Sequence, residues 1–322
     1  MNPSIPRSVK DFDNLIVCRP ALPLDTPGMI DLTRQIWEGE DYVPDAWADW
    51  MVDPEGILAV AESGGKVAGF GKLTRLSQSE WWMEGLRVHP DFEGRGIASR
   101  INDYLLAYWQ RTGTGVVRLA TVSSREPVKH LARKKGFQLL GEYSIFKAPI
   151  SNQTTNNPIK RLFQPLHPDE VLGAVDWLTN PKKDRLPFGV MDLGWQFAQP
   201  KIQYFDRYMK NNQVWWWKAQ KGILIMVDKK DGSDIWARIR MLACEDRDMV
   251  PFLSDARMLA GHTGYAGVTW LAPLSPRIVE NLSQAGFKRD WDSSLLIFEK
   301  HHFQRQCSSS YLFSLSVKHA MV

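Results

Sequence analysis

The stretch Glu84-Gly-Leu-Arg-Val-His-Pro-Asp-Phe-Glu-Gly-Arg-Gly-Ile-Ala-Ser-Arg100 constrains this chain most. Its first residues read as the end of a strand, and Pro90 stops it. Gly94 and Gly96 then permit positive φ and a close approach of backbone to a ligand. From Ile97 onward the apolar residues Ile97, Ile101, Tyr104, Leu105 and Tyr108 fall on one helical face. Strand, glycine turn and open helix end, in that order, gather free N–H groups and a positive dipole end around one point. That arrangement suits a pyrophosphate. The spacing is neither GxxxxGK(S/T) nor GxGxxG. On two glycines alone, an ordinary strand-to-helix connection is the competing reading.

The rest of the first half reads as strands and helices in alternation. Asn14–Arg19, Gly56–Glu62, Lys66–Leu73, Trp81–His89 and Val116–Val122 read as strands, and Phe137–Phe146 as a closing pair. Thr26 is placed to cap a helix running to about Glu38. A short helix follows at Pro44–Met51, and another at Glu126–Lys135. This order predicts an α/β fold, a mixed sheet with helices on both faces. Polar, proline-bracketed residues 149–158 read as a linker. The second half repeats the outline, and both halves end alike, in Arg133-Lys-Lys-Gly-Phe-Gln and Ser283-Gln-Ala-Gly-Phe-Lys. The expected organisation is therefore a tandem one: residues 1–148, the linker 149–158, a related second half 159–302, and a tail 303–322.

Composition narrows the classes. The longest apolar run, near Gly222–Val227, is far short of a membrane span, and the N-terminus has no signal-peptide pattern. Cys18, Cys244 and Cys307 show no CxxC pairing, which argues against a disulfide framework or a zinc site. A cytoplasmic protein without a metal is expected. The net charge of +4 comes without a basic stripe, so a small anionic ligand is expected rather than nucleic acid. The 14 tryptophans are read as core and pocket walls, Trp195 and Trp215–Trp217 among them.

The glycine stretch resembles the acetyl-CoA site of the GNAT family of N-acetyltransferases. That family reads (Arg/Gln)-x-x-Gly-x-(Gly/Ala) after its fourth strand. The matching residues here are Glu93-Gly94-Arg95-Gly96-Ile97-Ala98, followed by Ser99. Leu86-Arg87-Val88-His-Pro90 resembles the family's strand ending, and Leu131-Ala-Arg-Lys-Lys-Gly136-Phe137 its later helix ending. The resemblance covers about residues 12–148. It implies a GNAT-like acyl-CoA N-acyltransferase fold and acetyl-CoA as cosubstrate. Backbone near Leu86, Arg87 and Val88 would pair with the pantetheine arm, and Glu93–Ser99 would hold pyrophosphate.

Two positions depart from the family pattern. Glu93 stands where Arg or Gln is usual, so it is expected to face solvent, with Arg95 or Arg100 assisting the phosphates. Ala132 stands where the family often carries a tyrosine that protonates the departing thiolate, leaving Tyr143 and Tyr42 as candidates. Glu84 is the candidate general base that an ammonium substrate needs before it can attack. Strand alternation puts it on the face of Leu86 and Val88. A structural acid paired to Arg87 or to a distant arginine is the rival reading, and His89 could act as a relay.

Glu40-Asp41-Tyr42-Val43-Pro44, Trp50 and Asp53-Pro54 extend the resemblance to the histidine N-acetyltransferase group of that family. This implies acetylation of a free amino acid, with Asp41 and Tyr42 bordering the acceptor pocket. In the second half, Ala243-Cys-Glu-Asp-Arg-Asp-Met replaces the glycine loop, and its three acids would repel pyrophosphate. That half is expected to be degenerate and to shape the acceptor pocket. The alternatives are a non-catalytic acyl-CoA or amino-acid sensor, and a protein lysine or N-terminal acetyltransferase.

Overall fold

A computed structural model describes residues 15–36, 39–150 and 159–302. Most of the linker (151–158) and the tail from Phe303 lie outside the described residues. The first half contains β1 Ile16–Pro20, α1 Thr26–Arg34, α2 Val43–Val52, β2 Ile57–Ser63, β3 Lys66–Ser77, β4 Glu80–Val88, α3 Ile97–Thr112, β5 Gly115–Val122, α4 Glu126–Lys134 and β6 Gln138–Pro149. The second contains α5 Ile159–Leu162, β7 Phe163–Pro165, α6 Val171–Thr179, β8 Met191–Asp192, β9 Phe197–Ala198, α7 Ile202–Met209, β10 Val214–Trp217, β11 Gly222–Asp231, β12 Asp234–Cys244, α8 Met249–His262, β13 Gly267–Pro273, α9 Pro276–Gln284, β14 Lys288–Arg289 and β15 Leu295–His302.

The mixed α/β expectation holds. Alternate residues of β2 serve opposite faces: Leu58 and Val60 pack with α1 and α2, Ala59 and Ala61 with α3. In β11, Leu224 and Met226 meet α8, whereas Ile223 and Ile225 meet α6 and α7. A period of two along a strand covered on both faces produces these paired cores.

Some local expectations fail. Thr26 does not cap α1; Asp25 occupies that position, at the end of a 3-10 turn over Pro23–Asp25. The Thr26 hydroxyl instead accepts from Trp47 Nε1 at 3.2 Å. The expected pair of strands over Phe137–Phe146 is a single strand, β6, which begins at Gln138. Helix α7 lies where no element was expected, although its buried Phe205 and Tyr208 stand three residues apart on one face.

The sheet order is β1-β2-β3-β4-β5-β15-β6-β13-β12-β11-β10-β7, with β14 beside β6. The last strand of the second half therefore lies between β5 and β6 of the first, and β6 pairs with β13. A buried ion network ties this region together. Arg118 Nη1 donates to Glu80 Oε1 at 2.7 Å and Arg118 Nε to Glu299 Oε2 at 3.1 Å. Lys201 lies 3.2 Å from Glu80 Oε2, as an ion pair without hydrogen-bond alignment.

Two features of β4 position the site. First, β4 and β5 pair in parallel only from Glu80↔Val116 to Met83↔Leu119, and then diverge. Second, the β3–β4 register shifts between Lys72↔Glu84 and Phe70↔Arg87, a bulge centred on Gly85 at φ 64°. A Cβ at Gly85 would also meet the Trp50 ring at 2.5 Å, so both the conformation and the space call for glycine.

Candidate active site

Between the diverging strands lies a cavity of about 670 Å³. It passes through the sheet. On the face covered by α3 and α4 it is lined by Asn102, Leu105, Val128 and Ala132, and on the other by Trp82, Glu84, Tyr42, Trp195 and Trp291. Past Met83 and Leu119 the facing backbone edges have no strand partner, so amide groups there are open to an extended, amide-bearing ligand.

None of the glycine-loop residues Glu93–Ser99 lines this cavity; the loop precedes α3, whose Asn102 and Leu105 do line it. Gly94 and Gly96 have φ of 74° and 77°, and Gly96 is the N-cap of α3. Ile97 is buried in the core, so toward a ligand it offers its backbone alone. Ala98 and Ser99 are partly buried; Glu93, Arg95 and Arg100 are exposed. Glu93 joins no ion pair among the described residues. With its charge unneutralised and open to solvent, Glu93→Gln should keep or tighten acetyl-CoA binding, read by calorimetry; a sharp loss would show that the carboxylate organises the loop. Gly96→Val should weaken the same binding at least tenfold, ~1.4 kcal/mol. A Cβ there meets nothing within 4 Å, so the penalty is that of a β-branched residue at positive φ, which would swing the loop N–H groups away.

The bulge corrects the expected facing of β4. Glu84 does not share a face with Leu86 and Val88. Those two pack against the α3 core with Trp81 and Met83, leaving their backbones to serve a ligand. The extra residue at the bulge turns Arg87, instead, to the cavity. Glu84 is not paired to Arg87 either. Its Oε1 accepts from Thr74 Oγ1 at 2.7 Å and from Gln196 Nε2 at 3.0 Å. Burial raises the Glu84 carboxyl above the ordinary glutamate range, against the lowering effect of those two hydrogen bonds and of Lys72. A carboxylate held this way is a better proton acceptor than one in water.

Asp41 is buried and engaged: it accepts from Arg87 Nε at 2.7 Å and Nη2 at 3.0 Å, and from the Val43 N–H at 3.1 Å. It holds Arg87 against the cavity wall rather than lining the cavity itself. Tyr42 does line it, half exposed, edge-on to Trp50 and with the Arg87 guanidinium 5.5 Å from its ring centre.

Tyr143 is displaced as an acid. It lies outside this cavity, packed on Phe188 and Phe197, and burial leaves its hydroxyl unpartnered and very hard to ionise. Ala132 does line the cavity. His89 caps the turn before the loop, its Nδ1 accepting from the Asp91 N–H at 3.2 Å, and does not line the cavity.

The second half contributes the expected Trp195 and also walls the sequence did not mark: Gly194, Trp291 and Leu295. Trp215–Trp217, expected as walls, are core residues; Trp217 donates to Asp255 at 2.8 Å. The corresponding gap between β12 and β13 leaves only about 20 Å³, because Leu186, Pro187, Val190 and Phe197 fill it. Beyond it, the acidic loop is neutralised by its own Arg247 and by residues outside it: Glu245 pairs with Lys183 and Arg247, and Asp246 with Arg277.

The acetyltransferase (GNAT) family profile matches residues 26–137. Probable N-acetyltransferase 16 of Homo sapiens is 28% identical over 186 residues, 53% of this chain and 50% of that protein. Histidine N-acetyltransferase of Xenopus tropicalis is 27% identical over 139 residues, 41% of this chain and 42% of that protein. The chain thus matches half or less of each of these two relatives. A crystal structure of a GCN5-related N-acetyltransferase from Sphaerobacter thermophilus superposes with a TM-score of 0.56 at 11% identity, over 88% of this chain and 95% of that one, a likeness of fold. The chain carries an acetyltransferase domain of the GNAT family, set in a mixed-sheet fold of the GNAT acyl-CoA N-acyltransferase type.

Proposed function

We propose that the protein transfers an acetyl group from acetyl-CoA to a primary amine of a small metabolite. The observation that carries this reading is the cavity between β4 and β5, lined by Asn102 and Leu105 of α3 on one side and by Glu84 on the other. Pyrophosphate binds at Gly94–Ser99, and the pantetheine arm lies along the unpaired edge of Gly85–Val88. Glu84 takes a proton from the acceptor ammonium. The freed nitrogen attacks the thioester carbon, the C–N bond forms, and the C–S bond breaks. The departing thiolate takes a proton, for which Tyr42 is the tyrosine lining the cavity. No metal enters these steps.

Trp195 and Trp291 cover the acceptor side, which favours a small amine over a peptide segment. A free amino acid is the first acceptor to try, histidine included, given the relatives named for it. The shared strand outline of the halves supports a tandem duplication whose second copy has lost its ligand gap. A cytoplasmic site of action belongs to the same reading. Among the described residues no helix is long and apolar enough to cross a membrane.

A thiol-release assay with acetyl-CoA across free amino acids, polyamines and lysine peptides tests the proposal. Turnover with free amino acids is expected. Turnover with peptides alone would move the acceptor to proteins, and tight acetyl-CoA binding without turnover on any amine would make the domain a sensor.

A further inference from the structure

The turn between β8 and β9 reaches from the second half into the candidate active site. Its central residues, Gly194 and Trp195, both have positive φ, 115° and 69°. Glycine adopts this freely; tryptophan does not. Asp192 holds the turn in place. Its Oδ1 accepts from the Gly194 and Trp195 N–H groups at 2.7 and 2.8 Å, and its Oδ2 pairs with Arg238 at 3.2 Å and Arg240 at 2.9 Å. Arg238 also lies 5.1 Å from the Trp195 ring centre. A two-residue hairpin turn has no need of a buried carboxylate and two arginines. These contacts instead fix where the next side chain, Gln196, points.

We propose that Gln196 is a positioning residue for Glu84: with Thr74 it fixes Oε1 and leaves Oε2 to take the proton of the acceptor ammonium. Both donors converge on Oε1, one from each half of the chain. Among the described residues no hydrogen bond reaches Oε2, and it is not among the fully buried polar atoms without a partner. The inference rests on the acetyl-transfer reading for its chemistry, but the clamp itself is a property of the fold. The second half is then a working part of the site.

The charges around Glu84 are Lys72 of β3, Asp53 after α2, the Arg87–Asp41 pair and the Tyr42 hydroxyl. None is altered by changing Gln196. A hydrogen bond to a carboxylate stabilises its charged form, so removing one raises the midpoint at which it titrates. In Gln196→Leu, the Glu84 carboxyl followed by ¹³C NMR, with Glu84→Gln to assign it, should titrate about one pH unit higher. Thr74→Val should move it in the same direction. The acidic limb of kcat/KM should move with it, while the Kd for acetyl-CoA stays constant. Gln196→Met serves if the leucine variant does not fold. A folded variant with lowered thermal stability and an unmoved midpoint would overturn the clamp. A moved midpoint in a protein that releases no thiol would keep the clamp and overturn the acetyl-transfer reading.

Discussion

Glu84→Gln should lower kcat/KM by ~10²–10⁴ at neutral pH while leaving the fold and acetyl-CoA affinity intact. The amide is nearly isosteric, and it still accepts from Thr74 and Gln196 through its oxygen. What it lacks is the ability to take a proton. The defect should shrink as pH rises, because a growing fraction of the amine then arrives deprotonated. The wild type should lose activity on the acid side at a pH above the ordinary glutamate range, because burial raises this carboxyl. That limb should vanish in Glu84→Gln. A thermal melt run beside the pH–rate profile separates the roles: an early melt with normal turnover would make Glu84 structural.

The second large effect is on stability. Arg118→Met should destabilise the protein by ~3–5 kcal/mol, read by denaturant unfolding. Glu80 and Arg118 are 1% and 3% exposed, and they meet at 2.7 Å. Removing the guanidinium leaves a buried carboxylate with only the poorly aligned Lys201 and the Gln199 N–H, 2.9 Å away. Arg118→Lys keeps the charge, but its single ammonium replaces a fork that serves Glu80 and Glu299 together, so an intermediate loss is expected. Replacing Glu80 and Arg118 together by apolar residues should recover much of the loss. A single-mutant loss within ~0.5 kcal/mol of wild type would show that water reaches the pair.

What was legible in the sequence was local. Gly94, Gly96 and the Ile97–Ile101–Leu105 period lie next to one another, so the loop and α3 could be read directly. Glu84 was found by its place in the strand, but its facing was misread. A bulge inserts one residue, and alternation cannot be counted across it; Gly85 was the only mark it left. Asp41 was placed at the acceptor pocket by the family resemblance of Glu40–Pro44, whereas its ion-pair partner is Arg87, 46 positions away. Gln196, 112 positions from Glu84, and Trp291 carry no local signature at all. They reach the site through a hairpin and an exchanged strand, and only the packed sheet brings them there.

The placement of β15 also bears on how the molecule is made. Glu299 meets Arg118 across 181 positions of chain, and every pair along β15 with β5 is comparably remote. Contacts of such separation carry a large loop-closure cost before they return any stability, which slows folding. On a ribosome, the first 150 residues emerge with the edge of β5 open until β15 is made and occupies it. During that interval the exposed edge can accept a β15 from another molecule. Crowded synthesis should therefore favour exchanged dimers, and slow release of the nascent chain should favour the closed monomer.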